Sequence, residues 1–263
     1  MKTCLAILLT ALTLTASAAD WQKTLPPHQP GSFAPMRPME AQYTFGWSAL
    51  TAAQANFQLT RTSGDLYRMS VQTKTTGAVR PLWRMDADSV STTRATSFLP
   101  VLLVQKEAYR KETRNTRLEF TPEAVSRTRE VIEGGKRDKK TKVFKFPNLL
   151  DLHSALHYIR SQPLRAGDTQ KLVVYPSTSP YLAQVKVLGR EKLKVAGKTY
   201  AAIKSDVKLW RIDDDDLELK PHTKFKRATV WISDDTDRLL LRIEAEIMVG
   251  SVWAELEKVR FAP

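Results

Sequence analysis

Two histidines four residues apart, His153 and His157, are the side chains of this sequence whose spacing best suits a metal ion. On a helix, residues i and i+4 share one face, so both imidazoles could reach one zinc ion. The segment lacks the glutamate of a zinc protease, and His222 could be a third ligand only through an unknown contact. We therefore expect no metal site and interpret the pair as a partly exposed polar flank of a helix.

Aspartates are concentrated in two further segments. Asp213–Asp216 is an unbroken run, and the second segment, residues 234–237, lies between two apolar stretches. Calcium loops alternate their ligands and place a glycine at a sharp turn, and the first run has neither feature. Aspartates in turns accept hydrogen bonds from the backbone two residues on. We interpret the first run as a solvated loop and the second as a hairpin turn, with a paired-carboxylate active site as the alternative for the second.

The usual signatures of other catalytic classes are missing from the sequence. It contains no G-x-S-x-G elbow, and Gly134-Gly135-Lys136 lacks the spacing of a phosphate-binding loop. The only cysteine, Cys4, lies in the amino-terminal apolar segment, so a chain that has lost this segment has no disulfide, no thiol nucleophile and no cysteine metal ligand. We expect a protein that is not an enzyme and that uses no cofactor.

Basic side chains gather in two short segments and are the best candidates for a binding surface. The candidates are Arg110, Lys111, Arg114, Lys136, Arg137, Lys139 and Lys140. If neighbouring hairpins carry the two segments, they form one anion-binding patch; otherwise they are two solvated strand faces. The formal net charge of +13 favours anionic partners such as lipid head groups or cell-wall polymers, or it serves solubility alone.

The elements that must position these residues are almost all strands. Polar and apolar residues alternate in Leu66–Thr75, and similar segments bounded by turn signals continue to Phe261. Residues 148–160 are instead typical of a helix, with four apolar residues at helical spacing: Leu149, Leu152, Leu156 and Ile159. The pattern predicts a mainly β protein, an antiparallel curved sheet that forms a half-barrel or barrel wrapped on one central α-helix.

The amino terminus has the features of a secretory signal peptide, residues 1–18. Lys2 precedes an apolar run, and Ala16-Ser17-Ala18 is typical of a cleavage site. We expect cleavage after Ala18 and a periplasmic or secreted protein, which argues against nucleic acid as a partner. Residues 19–39 are rich in proline and predict a linker or surface strap, whereas residues 40–263 predict one β domain. No segment after the signal peptide is long and apolar enough to span a bilayer.

A series of short motifs runs through the predicted domain. They are residues 151–160, Leu164-Arg165-Ala166-Gly167-Asp168, residues 185–191, Gly197, Val230-Trp231-Ile232-Ser233-Asp234-Asp235, Arg238-Leu239-Leu240 and Gly250-Ser251-Val252. In this order they resemble a bacterial family of exported proteins, the domain of unknown function 3108, over roughly the whole folded part. The resemblance implies an envelope location and an all-β fold around one helix, and it implies no reaction. The architecture is also similar to periplasmic lipoprotein carriers, whose half-barrel shelters acyl chains.

These observations lead to two hypotheses for function. The first is a non-enzymatic binder or carrier of an apolar or amphipathic, lipid-like ligand, with basic loops that meet an anionic membrane surface. Side chains expected near such a ligand are Leu152, Leu156, Ile159, Trp210 and Trp231. The second is a structural or interaction module that binds another envelope protein or an anionic cell-wall polymer. A hollow interior favours the first, and a packed interior with an exposed apolar patch favours the second.

Overall fold

The computed structural model describes residues 21–62, 64–223 and 227–262. The predicted signal peptide, residues 1–18, lies outside these ranges. Within them the chain forms fifteen β-strands, two α-helices and a short 3₁₀ helix at Gln22–Thr24. In chain order the elements are β1 (Met39–Trp47), β2 (Leu50–Thr62), β3 (Leu66–Thr75), α1 (Val79–Leu82), β4 (Met85–Arg94), β5 (Pro100–Tyr109), β6 (Glu112–Phe120), β7 (Ala124–Glu133), β8 (Lys136–Lys145), α2 (Leu152–Ser161), β9 (Thr169–Val174), β10 (Tyr181–Val195), β11 (Lys198–Ile212), β12 (Leu219–Pro221), β13 (Arg227–Ser233), β14 (Leu240–Glu246) and β15 (Ser251–Phe261).

All fifteen strands belong to one antiparallel sheet. Its order is β8-β7-β6-β5-β4-β3-β2-β1-β15-β14-β13-β11-β10-β9, and β12 pairs with β11 beside this path. The first and last strands of this order, β8 and β9, do not pair with each other, so the sheet is not closed. The prediction of a mainly β, antiparallel fold is confirmed, and its form is an open sheet.

Alternation explains why these segments form strands with one buried face. In β3, Tyr67, Met69 and Val71 are buried, whereas Arg68 and Gln72 are exposed, as the sequence pattern predicts. Short turns join the strands. Ala196 and Gly197, which connect β10 to β11, both have positive φ angles of 53° and 71°, the conformation that a two-residue hairpin requires.

The buried side chains form two clusters, which lie on opposite faces of β9 and β10, since Val174 and Ala183 belong to one and Val173 and Leu182 to the other. The larger cluster joins β1–β3 and β15 with β9–β11, β13 and β14, and it includes Tyr158 and Ile159 from α2. The smaller cluster joins β5–β8 with β9–β11 through residues such as Leu118 and Val173. Because both ends of the sheet share these clusters, the sheet must curve around its own apolar side chains.

The expectation of a sheet wrapped on one central helix is not supported. Helix α2 has ten residues, and the strands nearest to its backbone are β9 and β4 rather than the sheet as a whole. It also begins later than expected. Asp151 is the N-cap residue and accepts a hydrogen bond from the Ser154 backbone N–H at 2.7 Å. Of the predicted apolar stripe, Leu149 precedes the helix and Leu152 is 63% exposed, whereas Leu156 is half-buried and Ile159 is buried.

The proline-rich segment 21–38 lies against α2 and is held there by hydrogen bonds. Ser161 accepts the Phe33 N–H at its carbonyl oxygen, and its hydroxyl accepts the Gly31 N–H. A side chain at Gly31 could not fit, because a Cβ atom there would lie 2.0 Å from the Ser161 carbonyl oxygen. We call residues 21–38 the strap.

Candidate functional site

The two helix histidines do not form a metal site. His157 is 1% exposed and stacks between Tyr67 and Phe98, with ring centroids 5.2 and 6.1 Å away. Burial lowers its pKa to about 3, with the Arg160 charge adding to the effect, so the imidazole is neutral. The expectation that His157 lies on a partly exposed flank of the helix is therefore wrong. The helix face that carries His157 lies away from the exposed Leu152 and packs against β3 and the loop of residues 95–99.

His153 is partly buried, and burial lowers its pKa while the Asp151 carboxylate opposes the shift. In the described part of the chain, no three histidine, cysteine, aspartate or glutamate side chains converge as metal ligands would. None of the helices described there is long and apolar enough to cross a membrane.

Both aspartate segments are engaged in turn structure and ion pairs. Asp213 and Asp214 bind Lys220 and Lys142 at 2.7 and 2.5 Å, and the hydrogen bond from Lys220 lowers the pKa of Asp213. In the second segment, Asp235 accepts the backbone N–H groups of Asp237 and Arg238 at 3.0 Å. This is the hairpin-turn role that the sequence predicts for this segment.

The predicted anion-patch residues lie on two neighbouring hairpins, because β6 pairs with β7. Arg110 and Lys111 form the β5–β6 connection, and Lys136, Arg137, Lys139 and Lys140 follow the β7–β8 turn. Three of the cations have carboxylate partners: Arg114 contacts Glu112, Arg137 lies 3.3 Å from Glu130, and Lys140 lies 2.9 Å from Asp138. Alternation also divides the strand residues between the two faces, since Lys139 and Lys140 must point to opposite sides. The anion-binding role of these residues stays a prediction.

A row of polar side chains crosses the middle of the sheet on the face opposite the larger cluster. Direct cross-strand pairs join Lys258 to Gln42, Gln42 to Asn56, Asn56 to Gln72 and Gln72 to Asp88. A second row alongside is formed by Arg260, Glu40, Gln58, Ser70 and Val90. Residues directly opposite each other have Cβ atoms about 5 Å apart, so each row is continuous across five strands.

These rows line a cavity of about 580 Å³. A second cavity of about 390 Å³ shares Gln42, Asn56, Gln72 and Asp88 with it and adds Gln54, Lys74, Asp86 and Glu257. We call the two together the polar trough. The side-chain amides of Gln42, Asn56, Gln58 and Gln72 have no hydrogen-bond partner within the described residues. They are therefore available as donors and acceptors for a bound molecule.

A third cavity, of about 360 Å³, lies under the strap. Most of its lining is apolar and includes Pro26, Phe146, Tyr158 and Val173. Trp21 stacks on Phe146 at 5.6 Å beside this crevice. We call it the strap crevice.

Sequence reasoning did not find the trough residues. Apart from Val90, each is an ordinary polar residue on one face of an alternating strand, and the rows become visible only when the register of β15, β1, β2, β3 and β4 is known. Of the residues expected beside an apolar ligand, Trp231 is buried, and its indole N–H donates to Glu191 at 2.6 Å.

The fold places this protein in the class of β proteins that are built on one open antiparallel sheet, curved like part of a barrel. In agreement, the structure is similar to a β-barrel-like protein of domain of unknown function DUF1849 from Brucella abortus, with a TM-score of 0.57 and 10% identity over 87% of this chain and 99% of that one. At this identity the likeness concerns the fold alone.

The sequence also shows to which family this protein belongs. The model of DUF3108, a protein family of unknown function, matches residues 42–257, and the chain belongs to this family, which confirms the resemblance noted from the sequence. Two other structures are similar at a TM-score of 0.35: a Parabacteroides distasonis protein provisionally described as a lipoprotein (9% identity, covering 88% of this chain and 99% of that one), and a Bacteroides fragilis protein with a YmcC-like fold, provisionally described as exported (6% identity, covering 88% and 100%). No curated protein matches the sequence significantly.

Proposed function

We propose that this protein is an exported, non-enzymatic binding module of the cell envelope that holds a polar polymer along the polar trough. The observation that carries the proposal is the set of side-chain amides that have no hydrogen-bond partner among the described residues, aligned across three adjacent strands, β1, β2 and β3. Export rests on the signal-peptide pattern of residues 1–18. Among the hypotheses from the sequence, this one develops the interaction module.

The shape and chemistry of the trough favour an extended ligand rich in hydroxyl and amide groups. Neighbouring strands lie about 4.8 Å apart, so a row across five strands is about 19 Å long. Amides both donate and accept hydrogen bonds, which suits the hydroxyl and acetamido groups of a glycan strand. The charges are mixed, with Glu40 and Asp88 beside Lys258 and Arg260, so the trough itself has no strong preference for an anion.

A role without catalysis is supported by where the reactive side chains lie. His157 is enclosed by aromatic rings, and Asp235 serves a turn. Asp151 is fully buried as the helix cap, and the Ser91 hydroxyl donates to its Oδ2 at 2.5 Å. Each group is committed to the fold rather than directed into the trough.

Co-sedimentation with purified peptidoglycan tests the proposal. The double variant Asn56→Ala/Gln72→Ala removes two central amides, and we expect binding to weaken about thirtyfold, since each lost hydrogen bond contributes about 1 kcal/mol. Thr128→Ala/Thr141→Ala is the matched control, because these residues face each other on β7 and β8 of the same sheet and lie outside the trough. Wild-type protein that fails to sediment with the polymer, or a trough variant that binds like the control, would contradict the proposal.

The strap crevice favours a second candidate, the carrier of an apolar or amphipathic ligand. Its volume of about 360 Å³ is at the lower end of small-molecule sites, and its lining is mostly apolar. The packed larger cluster restricts such a ligand to this crevice, because the face of the sheet expected to shelter it is filled by residues such as Leu59, Ile203 and Leu241. We rank this candidate second for that reason.

A further inference from the structure

The two ends of the sheet differ in whether the chain itself covers the free side of the last strand. At the β9 end, the Leu150 backbone N–H donates to the Val173 carbonyl at 3.0 Å, and the Leu150 carbonyl accepts the Tyr175 N–H at 2.7 Å. Residue 150 therefore takes the place of a neighbouring strand beside the end of β9. At the other end, β8 pairs with β7 on one side, and no described segment pairs with it on the other.

The turn before β8 decides which of its backbone groups face the free side. Gly134 and Gly135 have φ angles of 55° and 81°, so Glu133 and Lys136 close a two-residue hairpin. The two closing residues of such a hairpin exchange both backbone hydrogen bonds, and every second pair along an antiparallel ladder does the same. The register of β7 and β8 has no shift, so this alternation continues along the strand. The residues in between direct their N–H and C=O groups away from β7: Arg137, Lys139, Thr141, Val143 and Lys145.

These five residues, which we call the β8 edge, have no backbone partner among the described residues. Residues 136–141 are all exposed, whichever face of the strand their side chains occupy. Only the carboxyl-terminal part of β8 joins a buried cluster, through Phe144. An exposed row of unpaired backbone donors and acceptors is a template for a further strand.

The charge of β8 restricts which strand can pair with it. The strand has one acidic residue and six basic ones, so its net charge is strongly positive. Three of the cations have carboxylate partners, whereas Lys136, Lys139 and Lys145 have none among the described residues. Basic residues on an edge discourage pairing with apolar or basic strands, and a second copy of β8 is such a strand. An acidic strand is the partner that the edge favours, because cross-strand pairs of opposite charge are stabilising.

We propose that the β8 edge binds an extended acidic peptide segment of another protein as an added strand. Backbone hydrogen bonds to the edge provide affinity, and acidic side chains opposite Lys139 and Lys145, which share one face of β8, provide selectivity. A lipid surface would engage the charges and leave the row of backbone groups unused, which is why a peptide is favoured. The inference does not depend on what the polar trough binds.

Fluorescence anisotropy with a labelled ten-residue peptide of alternating glutamate and threonine tests the proposal. We expect binding at low salt that weakens as the salt concentration rises. Thr141→Pro should weaken binding at least about tenfold, because proline removes an outward N–H and its ring obstructs the edge. The ladder with β7 should remain, since the Thr141 N–H does not contribute to it. Thr141→Ala is the matched control: it also loses the hydroxyl contact with Thr128 at 3.3 Å, but it keeps the N–H and should bind like the wild type.

A second pair of variants tests the charges. Lys139→Gln/Lys145→Gln should weaken binding of the peptide about fivefold, since two cross-strand pairs of opposite charge are lost. Lys192→Gln/Lys194→Gln removes the same net charge from exposed positions on β10 and should bind nearly like the wild type. Equal weakening by both double variants would show that net charge alone attracts the peptide and would contradict a site at β8.

The same peptide N-methylated at every residue separates strand addition from charge attraction without any change to the protein. It keeps its carboxylates but has no backbone N–H to donate, so we expect binding at least about tenfold weaker. Equal binding of the two peptides, or full binding by Thr141→Pro, would refute strand addition. Absence of binding by the unmodified peptide at low salt overturns the proposal. Binding of the wild type to phosphatidylglycerol vesicles in place of the peptide would overturn it in favour of a lipid surface.

Discussion

Replacement of His157 by phenylalanine should remove much of the acid sensitivity of the fold. The buried imidazole has its pKa lowered from 6.5 to about 3, so the folded protein leaves it neutral where the unfolded chain binds a proton. Stability is therefore fully present above pH 6.5 and falls as the pH decreases toward 3. From these two pKa values, His157 alone lowers the free energy of unfolding of the wild type by about 2 kcal/mol when the pH falls from 7 to 5.

Urea unfolding at both pH values measures this cost. Phenylalanine is somewhat larger but keeps a flat aromatic ring that can stack on Tyr67 and Phe98, so the variant should fold and should lose about 2 kcal/mol less than the wild type over this interval. Leu152→Gln, on the exposed side of the same helix, is the control and should lose as much as the wild type. If the phenylalanine variant and the wild type lose equal stability, His157 is not a buried neutral group and the reasoning is refuted.

Two further predictions concern how the strap and the helix are held. Gly31→Ala places a methyl group 2.0 Å from the Ser161 carbonyl oxygen, so we expect the free energy of unfolding to fall by about 1–3 kcal/mol and proteolysis within residues 21–38 to become faster. Ser32→Ala is the control. Equal rates of digestion for the two variants would contradict the contact between Gly31 and Ser161. Ser91→Ala removes the donor to the fully buried Asp151 and should cost about 1–3 kcal/mol in urea unfolding. Ser89→Ala on the same strand should be nearly neutral, since the Ser89 hydroxyl has no hydrogen-bond partner among the described residues, and a reversed order would refute the role of the cap.

Much of the secondary structure was predictable because local signals determine it. The predicted strand Leu66–Thr75 coincides with β3, since its alternation and the turn signals on both sides are local properties. The β10–β11 hairpin follows in the same way from Ala196 and Gly197.

The helix shows where local pattern was insufficient. Leu149 and Leu150 have helical spacing with later apolar residues, but Leu150 pairs with Val174 in an isolated parallel bridge. A tertiary contact therefore removes these residues from the helix, and the buried face includes His157 and Tyr158 beside the predicted Ile159. Local periodicity cannot report such a contact.

The candidate sites depend on register, which a single sequence does not provide. Gln42 and Lys258 are far apart in the chain, and only the pairing of β1 with β15 places them side by side. Asn56 and Gln72 are likewise brought together only by the pairing of β2 with β3.

Native mass spectrometry of the protein purified from its own compartment, with organic extraction of what co-purifies, tests the central claim most directly. The claim is that the concave face is packed and that ligands bind on the outer face of the sheet, in the polar trough. We predict the mass of the protein without a lipid and no lipid in stoichiometric amount in the extract. A stoichiometric lipid would contradict the account and would favour a carrier that uses the strap crevice.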